Sequence, residues 1–247
     1  MSTACFRNYT FILLLLLFSI RVVGQTTTPW KKGCTEEYFK VMSYYQKYVA
    51  PKSYFKYNNY SIKDGEKSDN SVTEFWRNGA KFKCKNNMMS AFQDDKTTIV
   101  ISHGRKVIFI RDFDPKAAED PSAFMQKLIN KVPEDSLKKM YSQIICGQEE
   151  GKKFIDLKFN KAYFQAMGMK GIKIYYNDKT QTFTKGLYEI YTKDSEGSRM
   201  DVYDYIAFSE QFEESVLEGS AINNVMTGQK LLPQYSGYNL KDFRNKK

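Results

Sequence analysis

Histidine is the residue type that this sequence has least of, because His103 is the only one in 247 residues. Cysteine is also scarce: the chain has four, and no two of them form a Cys-x-x-Cys pair. Zinc sites are built mainly from these two residue types. A zinc site in this chain would have to consist largely of carboxylates, which is an unusual set. The sequence therefore predicts a protein that uses no metal and no cofactor.

The sequence also lacks the common catalytic motifs. It contains no Gly-x-Ser-x-Gly elbow, no His-Glu-x-x-His helix and no phosphate-binding Gly-x-x-x-x-Gly-Lys-Ser/Thr loop. His103 has no serine or cysteine at a useful spacing and precedes Gly104, so we interpret it as a turn residue that tolerates a positive φ. The carboxylate pairs lie in polar stretches and are interpreted as solvated charge; they are Asp94-Asp95, Glu149-Glu150 and Glu213-Glu214. These absences predict a protein that is not an enzyme.

The first 24 residues have the composition of a secretory signal peptide. Arg7 precedes a ten-residue apolar run, Phe11–Ile20, and Val22-Val-Gly24 follows it. A run this short does not span a bilayer, which takes about 20 apolar residues. We expect cleavage before Gln25 and an exported protein, either periplasmic or secreted.

The cysteines that would remain after cleavage are Cys34, Cys84 and Cys146, an odd number. At least one of them is then a free thiol or pairs with another molecule. Cys84 lies in the alternating run Phe82–Lys85, which favours a buried structural thiol. Whether the three pair stays open at this point. We expect no disulfide to be essential, because a chain of this length buries a sufficient core.

Basic residues exceed acidic ones by 38 to 28, but the two kinds are interleaved over the whole length. A nucleic-acid-binding protein concentrates positive charge on one face or arm. The even distribution favours a solvated surface and, with the export signal, argues against nucleic acid as a partner. Attraction to an anionic membrane surface or an acidic partner stays open.

Hydrophobic periodicity predicts a chain made mostly of strands, in agreement with 18 tyrosines and 18 phenylalanines. One amphipathic helix is predicted over residues 36–49, with Phe39, Met42, Tyr45 and Val49 on its apolar face. Further helices are predicted from Asp120 to Pro133 and over residues 136–145. Strands are predicted at residues 54–62, 72–77, 81–85, 88–93, 97–102, 107–112, 153–160, 171–176, 183–192 and 199–208.

The order of these elements predicts an α+β fold that is mostly β. Consecutive strands form hairpin-like pairs, which favours a large curved antiparallel sheet, or incomplete β-barrel, with covering helices. Strands 97–102 and 107–112 are apolar on both faces, so they are predicted to lie inside the sheet and to be covered on each side. Residues 209–230 are ambiguous, residues 231–240 are expected to pack by their Leu and Tyr side chains, and residues 242–247 to fray.

Three segments carry a family resemblance. Residues 101–115 form two strands around Ser102-His-Gly-Arg105, followed by a turn with Pro115; residues 72–83 form paired strands around Arg77 and a turn; and residues 171–183 form a strand, a turn and a strand. Together they resemble the periplasmic lipoprotein-carrier family, the LolA/LolB-like proteins, over about residues 35–208. His103 stands where that family usually has Asp.

The resemblance implies a single half-barrel domain over residues 25–247 whose concave, apolar face holds lipoprotein acyl chains. It also places Arg77 near the family's basic residue that helps to close the cavity. The doubly apolar hairpin and its neighbours supply most of the other lining candidates. The candidate ligand-binding residues are Phe75, Arg77, Ile99, Ile101, Ile108, Ile110, Leu157 and Phe159.

Three classes of function are weighed from the sequence, and the third, a hydrolase, ranks last because no catalytic set is visible. The first is a non-enzymatic carrier, or chaperone, of the cell envelope that binds a lipid or the acyl chains of a lipoprotein and has envelope membrane proteins as further partners. The second is a structural or adaptor protein of an envelope or secretion apparatus. A cavity lined by apolar groups favours the carrier, whereas a filled core with an exposed apolar or basic patch favours the adaptor.

Overall fold

The computed structural model describes residues 33–114, 133–191 and 199–244. The predicted signal peptide and the helix predicted from Asp120 to Pro133 lie outside the described residues. The described helices are α1 (Cys34–Tyr48), α2 (Glu134–Met140) and α3 (Lys161–Met167). The described strands are β1 (Lys52–Lys63), β2 (Glu66–Lys67), β3 (Ser71–Asn78), β4 (Lys81–Lys85), β5 (Met89–Gln93), β6 (Thr97–Ser102), β7 (Val107–Asp112), β8 (Tyr141–Glu149), β9 (Lys152–Phe159), β10 (Met169–Asn177), β11 (Thr182–Ile190), β12 (Arg199–Ser209), β13 (Met226–Thr227), β14 (Lys230–Leu231) and β15 (Asn239–Asp242).

Thirteen of the described strands form one sheet, with the order β15-β7-β6-β5-β4-β3-β1-β12-β11-β10-β9-β8 and β2 beside β1. The order ends at β15 on one side and at β8 on the other, so the sheet is not closed into a barrel. Neighbouring strands along the β3–β7 meander and in β8–β12 are antiparallel, whereas β15 runs parallel to β7. The predicted fold class, mostly β with covering helices, is confirmed.

The chain divides into two compact units. Among the described residues, the first unit contains residues 33–47, 58–70, 133–191 and 199–206, and the second contains 48–57, 71–114 and 207–244. The single half-barrel domain over residues 25–247 stays a prediction.

Helix α1 forms where the sequence predicts it, but a neighbouring face of it is buried. Its buried residues are Cys34, Val41, Tyr44 and Tyr48. Of the predicted apolar face, Phe39, Met42 and Tyr45 are half-buried, and Val49, directly after the helix, is buried. A disulfide joins Cys34 to Cys146 in β8 and thereby orients the first turn of the helix. None of the described cysteines is a free thiol, so the prediction of a structural thiol at the buried Cys84 is wrong.

The second short helix was predicted too long. Helix α2 ends at Met140, and Tyr141 already has extended backbone angles (φ −110°, ψ 132°). Residues 141–149 are strand β8, in which Tyr141 and Ile144 are buried. These residues form a strand and not a helix because, as a strand, they pair with β9 and their side chains pack into the sheet. Hydrophobic periodicity in a short window does not show such a long-range contact.

The hairpin β6–β7 has the predicted bounds, but the prediction that both its faces are covered is wrong for β7. Ile108 and Ile110 are fully buried, whereas Phe109 on the other face of β7 is 39% exposed. Strand β15 pairs with the edge of β7 that faces away from β6. Because β15 includes Asp242, the prediction that the chain frays from this residue is wrong.

A polar cluster attaches α1 to the β9 and β10 strands in the first unit. Asp178 accepts hydrogen bonds from Tyr44 Oη at 2.9 Å, from Lys40 Nζ at 3.3 Å and from Lys153 Nζ at 2.5 Å. Glu37, one turn earlier in α1, accepts a hydrogen bond from the hydroxyl of Tyr176. Burial and the Glu37 carboxylate both raise the pKa of Tyr176, which keeps it a neutral donor. The cluster and the disulfide hold the same helix at two points.

Replacing Cys34 and Cys146 with serine is expected to lower the free energy of unfolding by about 2–5 kcal/mol. The physical reason is that the bond joins residues 112 apart in sequence and so restricts the unfolded chain. Urea denaturation of the double variant and the wild type measures the difference. An unchanged midpoint would contradict a stabilising bond, and would support the expectation that no disulfide is essential.

The Asp178→Asn variant is expected to be less stable near neutral pH by about 1 kcal/mol, the upper end for a partly exposed ion pair. Burial alone would raise the pKa of Asp178, but hydrogen bonds from Lys153, Tyr44 and Lys40 hold it at about 2. A carboxyl with a depressed pKa stabilises the fold above its ordinary value of 3.8 and loses that contribution as the pH falls through 2. The stability difference between variant and wild type should therefore shrink between about pH 4 and about pH 2.

Urea denaturation over that pH range measures this difference, with the exposed Asp69→Asn as the control variant. If Asp178→Asn and Asp69→Asn have the same pH profile, the cluster at Asp178 contributes nothing to stability.

Candidate functional site

The register of the β3–β7 meander divides the predicted binding residues of the second unit between two faces. Phe75 pairs with Cys84, and the same row continues through Ala91, Val100 and Phe109. Residues that pair directly across antiparallel strands point to the same side of the sheet. Phe75, and Arg77 two residues later, therefore lie on the Phe109 side.

The four isoleucines lie on the opposite side and are adjacent. Ile99 pairs with Ile110, and Ile101 pairs with Ile108. Phe92 of β5 pairs with Ile99 and extends the patch by one strand. We call these five residues the isoleucine face. All four isoleucines have no exposed surface.

The remaining candidates are placed elsewhere. Leu157 and Phe159 are buried in β9 of the first unit, where Leu157 pairs with Ile144 and Ile172. Phe75 stacks on Phe55 with ring centroids 4.7 Å apart. The structure thus brings together four of the eight predicted residues, and contact with a ligand stays a prediction for all of them.

Arg77 is held by backbone oxygens of its own unit. Its guanidinium donates to the carbonyl oxygens of Gly79, at 3.2 Å, and Val49, at 3.3 Å. These contacts connect the β3–β4 turn to the end of α1. A role in closing a cavity stays a prediction for this residue.

The isoleucine face is covered by residues 220–238, which we call the C-terminal cover. It consists of short pieces: a 3-10 turn at Ala221–Asn224, the two-residue strands β13 and β14, and a 3-10 turn at Pro233–Tyr235. The buried residues that it packs on the isoleucines are Ala221, Val225, Met226 and Tyr235. The predicted packing of this tail by Leu and Tyr residues is confirmed, since Leu231, Leu232 and Tyr238 also contact the cluster.

Asp94 anchors the beginning of the cover. Its carboxylate accepts hydrogen bonds from Ser220 Oγ at 3.0 Å and from the backbone N–H of Ala221 at 2.7 Å. The other carboxylate oxygen accepts from the backbone N–H groups of Lys96 and Thr97 in its own turn. Burial by itself would raise the pKa of Asp94, but these hydrogen bonds outweigh it and hold the pKa below its usual value.

The interpretation of Asp94 as solvated charge is therefore wrong, because Asp94 is only 4% exposed. Its neighbour Asp95 is exposed, as predicted for both. The local signal that was missed is the aspartate at the start of a tight turn, a position where its side chain commonly accepts from the backbone two and three residues on. The contact with the cover, 126 residues away, has no signal in the sequence.

His103 anchors the end of the cover. Its Nδ1 lies 3.1 Å from the hydroxyl of Tyr238, and its Nε2 lies 2.9 Å from Ser90 Oγ in β5. Burial, and secondarily the charge of Lys85, lower the pKa of His103 and favour the neutral ring. The expected positive φ belongs to Lys106 of the same turn and not to His103. The serine that contacts His103 comes from another strand, which spacing along the chain does not show.

Two lysines border the isoleucine face on the same side of the sheet. Lys83 pairs with Phe92 on one side and with Trp76 on the other, and Lys85 pairs with Ser90. We call Lys83 and Lys85 the lysine pair. Lys83 is half-buried and donates to the carbonyl oxygen of Val216 at 3.4 Å. The side of the sheet that carries the apolar patch is therefore positively charged at one border.

Across residues 33–114, 133–191 and 199–244, no three His, Cys, Asp or Glu side chains are grouped so as to hold a metal ion. Glu149 of the second carboxylate pair is bound by Lys173 and Tyr175, and Glu214 of the third is bound by Lys52. None of the helices in these ranges is both long and apolar enough to cross a bilayer.

The Asp94→Ala variant is expected to loosen the C-terminal cover without unfolding the meander. Two of the four hydrogen bonds that end on this carboxylate come from the cover, and bonds to a charged acceptor contribute about 1.5–3 kcal/mol each. Amide hydrogen exchange in residues 220–238 should therefore accelerate by about tenfold or more. Asp95→Ala is the matched control. Equal exchange in the two variants would show that Asp94 does not hold the cover.

Comparison with known proteins finds only distant structural likeness. No protein-family profile matches the chain, and no curated protein matches it in sequence. An uncharacterized conserved protein from Thermus thermophilus is similar in structure, with 5% identity, a TM-score of 0.43 and coverage of 85% of this chain and 99% of that one. A LolA superfamily protein from Nitrosomonas europaea has 7% identity, a TM-score of 0.32 and coverage of 74% and 97%.

A third similar structure is the MucA/MucB complex of Pseudomonas aeruginosa, with 13% identity and a TM-score of 0.33. The match covers 73% of this chain and 61% of that one. At these identities and TM-scores the likeness says nothing about activity or ligand. Membership of the LolA/LolB-like family stays a prediction.

Proposed function

We propose that this protein is a non-enzymatic carrier or binding protein that takes an apolar chain on the isoleucine face. The observation that supports this most directly is the way in which that face is covered. Four adjacent isoleucines lie under a segment of short turns and two-residue strands, not under a helix or a second sheet. The acyl chain of a lipid or a lipoprotein is the ligand class that fits such a face.

In this proposal the ligand replaces the C-terminal cover. An acyl chain gains about 0.8 kcal/mol for each methylene that it buries. The cover has little regular structure, and such segments open at a lower free-energy cost than packed strands or helices. Its side-chain anchors, at Asp94 and at His103, are polar contacts near its two ends. Once the cover lifts, the isoleucines are the surface that a ligand would occupy.

The cellular setting belongs to the same proposal. The amino-terminal apolar run supports export to a periplasmic or extracellular compartment. There, a carrier would exchange its ligand with the membrane or with envelope membrane proteins.

An adaptor is the second candidate, and a specific observation favours it. Phe109 and Phe243 stack at 6.4 Å with their planes 8° apart, on the side of the sheet away from the isoleucines. Phe243 is 66% exposed and follows β15, which is an edge strand of the sheet. Exposed aromatic side chains beside a sheet edge are common in protein–protein contacts.

Titration with a fluorescent fatty-acyl probe tests the carrier. The wild type should bind the probe saturably, and Ile101→Glu should abolish binding because it places a charge on the apolar face. Lys106→Glu, in the β6–β7 turn, is the surface control. Circular dichroism reports whether each variant is folded.

The Asp94→Ala variant keeps the test decisive if Ile101→Glu does not fold. A loosened cover costs less to displace, so this variant should bind the probe about tenfold more tightly than Asp95→Ala. No saturable binding by the wild type or by Asp94→Ala would overturn the carrier and leave the adaptor.

A further inference from the structure

We infer that the ligand of the isoleucine face carries an anionic headgroup, a carboxylate or a phosphate, which the lysine pair binds. This inference rests on the proposed function and adds to it the chemical class of the ligand. It follows from the position of Lys83 and Lys85, from the absence of a carboxylate partner for either among the described residues, and from the aromatic side chain beside them.

The lysine pair lies at the right distance for an amphiphile. Neighbouring strands are about 4.8 Å apart, so β4 is about 10 Å from the isoleucines of β6, with only β5 between them. Phe92 lies on the connecting row and joins Lys83 to Ile99. A headgroup at the lysines therefore leaves its chain running directly over the apolar patch.

The positive charge of the pair is not neutralised within the described residues. No carboxylate there forms a salt bridge with Lys83 or Lys85. Glu74 pairs with Lys85 across the strands, but its carboxylate is bound by Lys56 Nζ at 3.1 Å. Glu214, in the turn that Lys83 contacts, is bound by Lys52 at 2.5 Å.

Two cations on one face are costly to keep side by side. Burial, and then the charge of Lys85, lower the pKa of Lys83. An anion between the two ammonium groups would remove this repulsion and replace the water that burial excludes.

Two aromatic side chains lie beside the lysine pair. The Lys83 ammonium lies 5.9 Å from the centroid of the Trp76 ring, and Trp76 packs against Tyr54 at 5.4 Å. Trp and Tyr side chains suit the boundary between an apolar chain and a polar headgroup, since each has an apolar ring and a polar atom. The order along this side of the sheet is thus aromatic at Trp76, cationic at Lys83 and apolar from Phe92 onward.

The experiment compares ligands that share one chain and differ in headgroup. Dodecyl phosphate, dodecanoic acid, dodecanol, dodecyltrimethylammonium and inorganic phosphate each compete with the fluorescent fatty-acyl probe. Lys83→Met keeps the length of the side chain and should lower the affinity for dodecyl phosphate about tenfold, the loss of one charge-assisted hydrogen bond. The affinity for dodecanol should be unchanged. Lys63→Met, an exposed lysine of β1, is the control.

The outcomes separate this inference from the proposed function. Tighter binding of the two anionic amphiphiles than of dodecanol, lost in Lys83→Met and kept in Lys63→Met, supports it. Equal binding of all four amphiphiles overturns the headgroup site and leaves the carrier intact. Inorganic phosphate that competes as well as dodecyl phosphate also overturns it, because the anion would then bind without the apolar face. No binding of any amphiphile overturns both.

Discussion

The register of the β3–β7 meander is the constraint on which the second unit depends. Side chains alternate between the two sides of a strand, so a shift by one residue would exchange the two faces completely. The observed register puts Ile99 opposite Ile110 and Phe75 opposite Cys84. One side thereby becomes a contiguous aliphatic patch that has to be covered. The position of the C-terminal cover and of the lysine pair both follow from this pairing.

The two units stabilise their covering segments by different means. In the first unit, α1 is held covalently by the disulfide between Cys34 and Cys146, and again by the hydrogen bond from Tyr44 to Asp178. In the second unit, the cover is held by hydrogen bonds at Asp94 and His103 and by aliphatic contacts. Fully burying an isoleucine contributes about 1.5–3 kcal/mol, which a replacing ligand could supply equally well. The proposed replacement of the C-terminal cover by a ligand therefore costs less free energy than the displacement of α1 would.

The charge pattern of this face is invisible in the overall composition. Acids and bases alternate along the chain, yet β4 carries Lys83 and Lys85 on one side and Cys84 on the other. The nearby acids are already engaged, Glu74 by Lys56 and Glu214 by Lys52. A surface that is balanced on average therefore has a positive border beside its apolar patch. This arrangement suits the anionic amphiphile that we infer as the ligand.

The sequence by itself determined the local elements, because period and turn chemistry act over a few residues. It predicted β6 and β7 with their observed bounds, and α1 to within two residues at either end. Only the tertiary structure decided which sides are covered and by what. The pairing of Cys34 with Cys146, the contact of Asp94 with Ala221 and that of His103 with Tyr238 each span more than a hundred residues. Nothing near these residues in the chain encodes such partners, since a buried polar group selects its partner from whatever the packed sheet brings within hydrogen-bond distance.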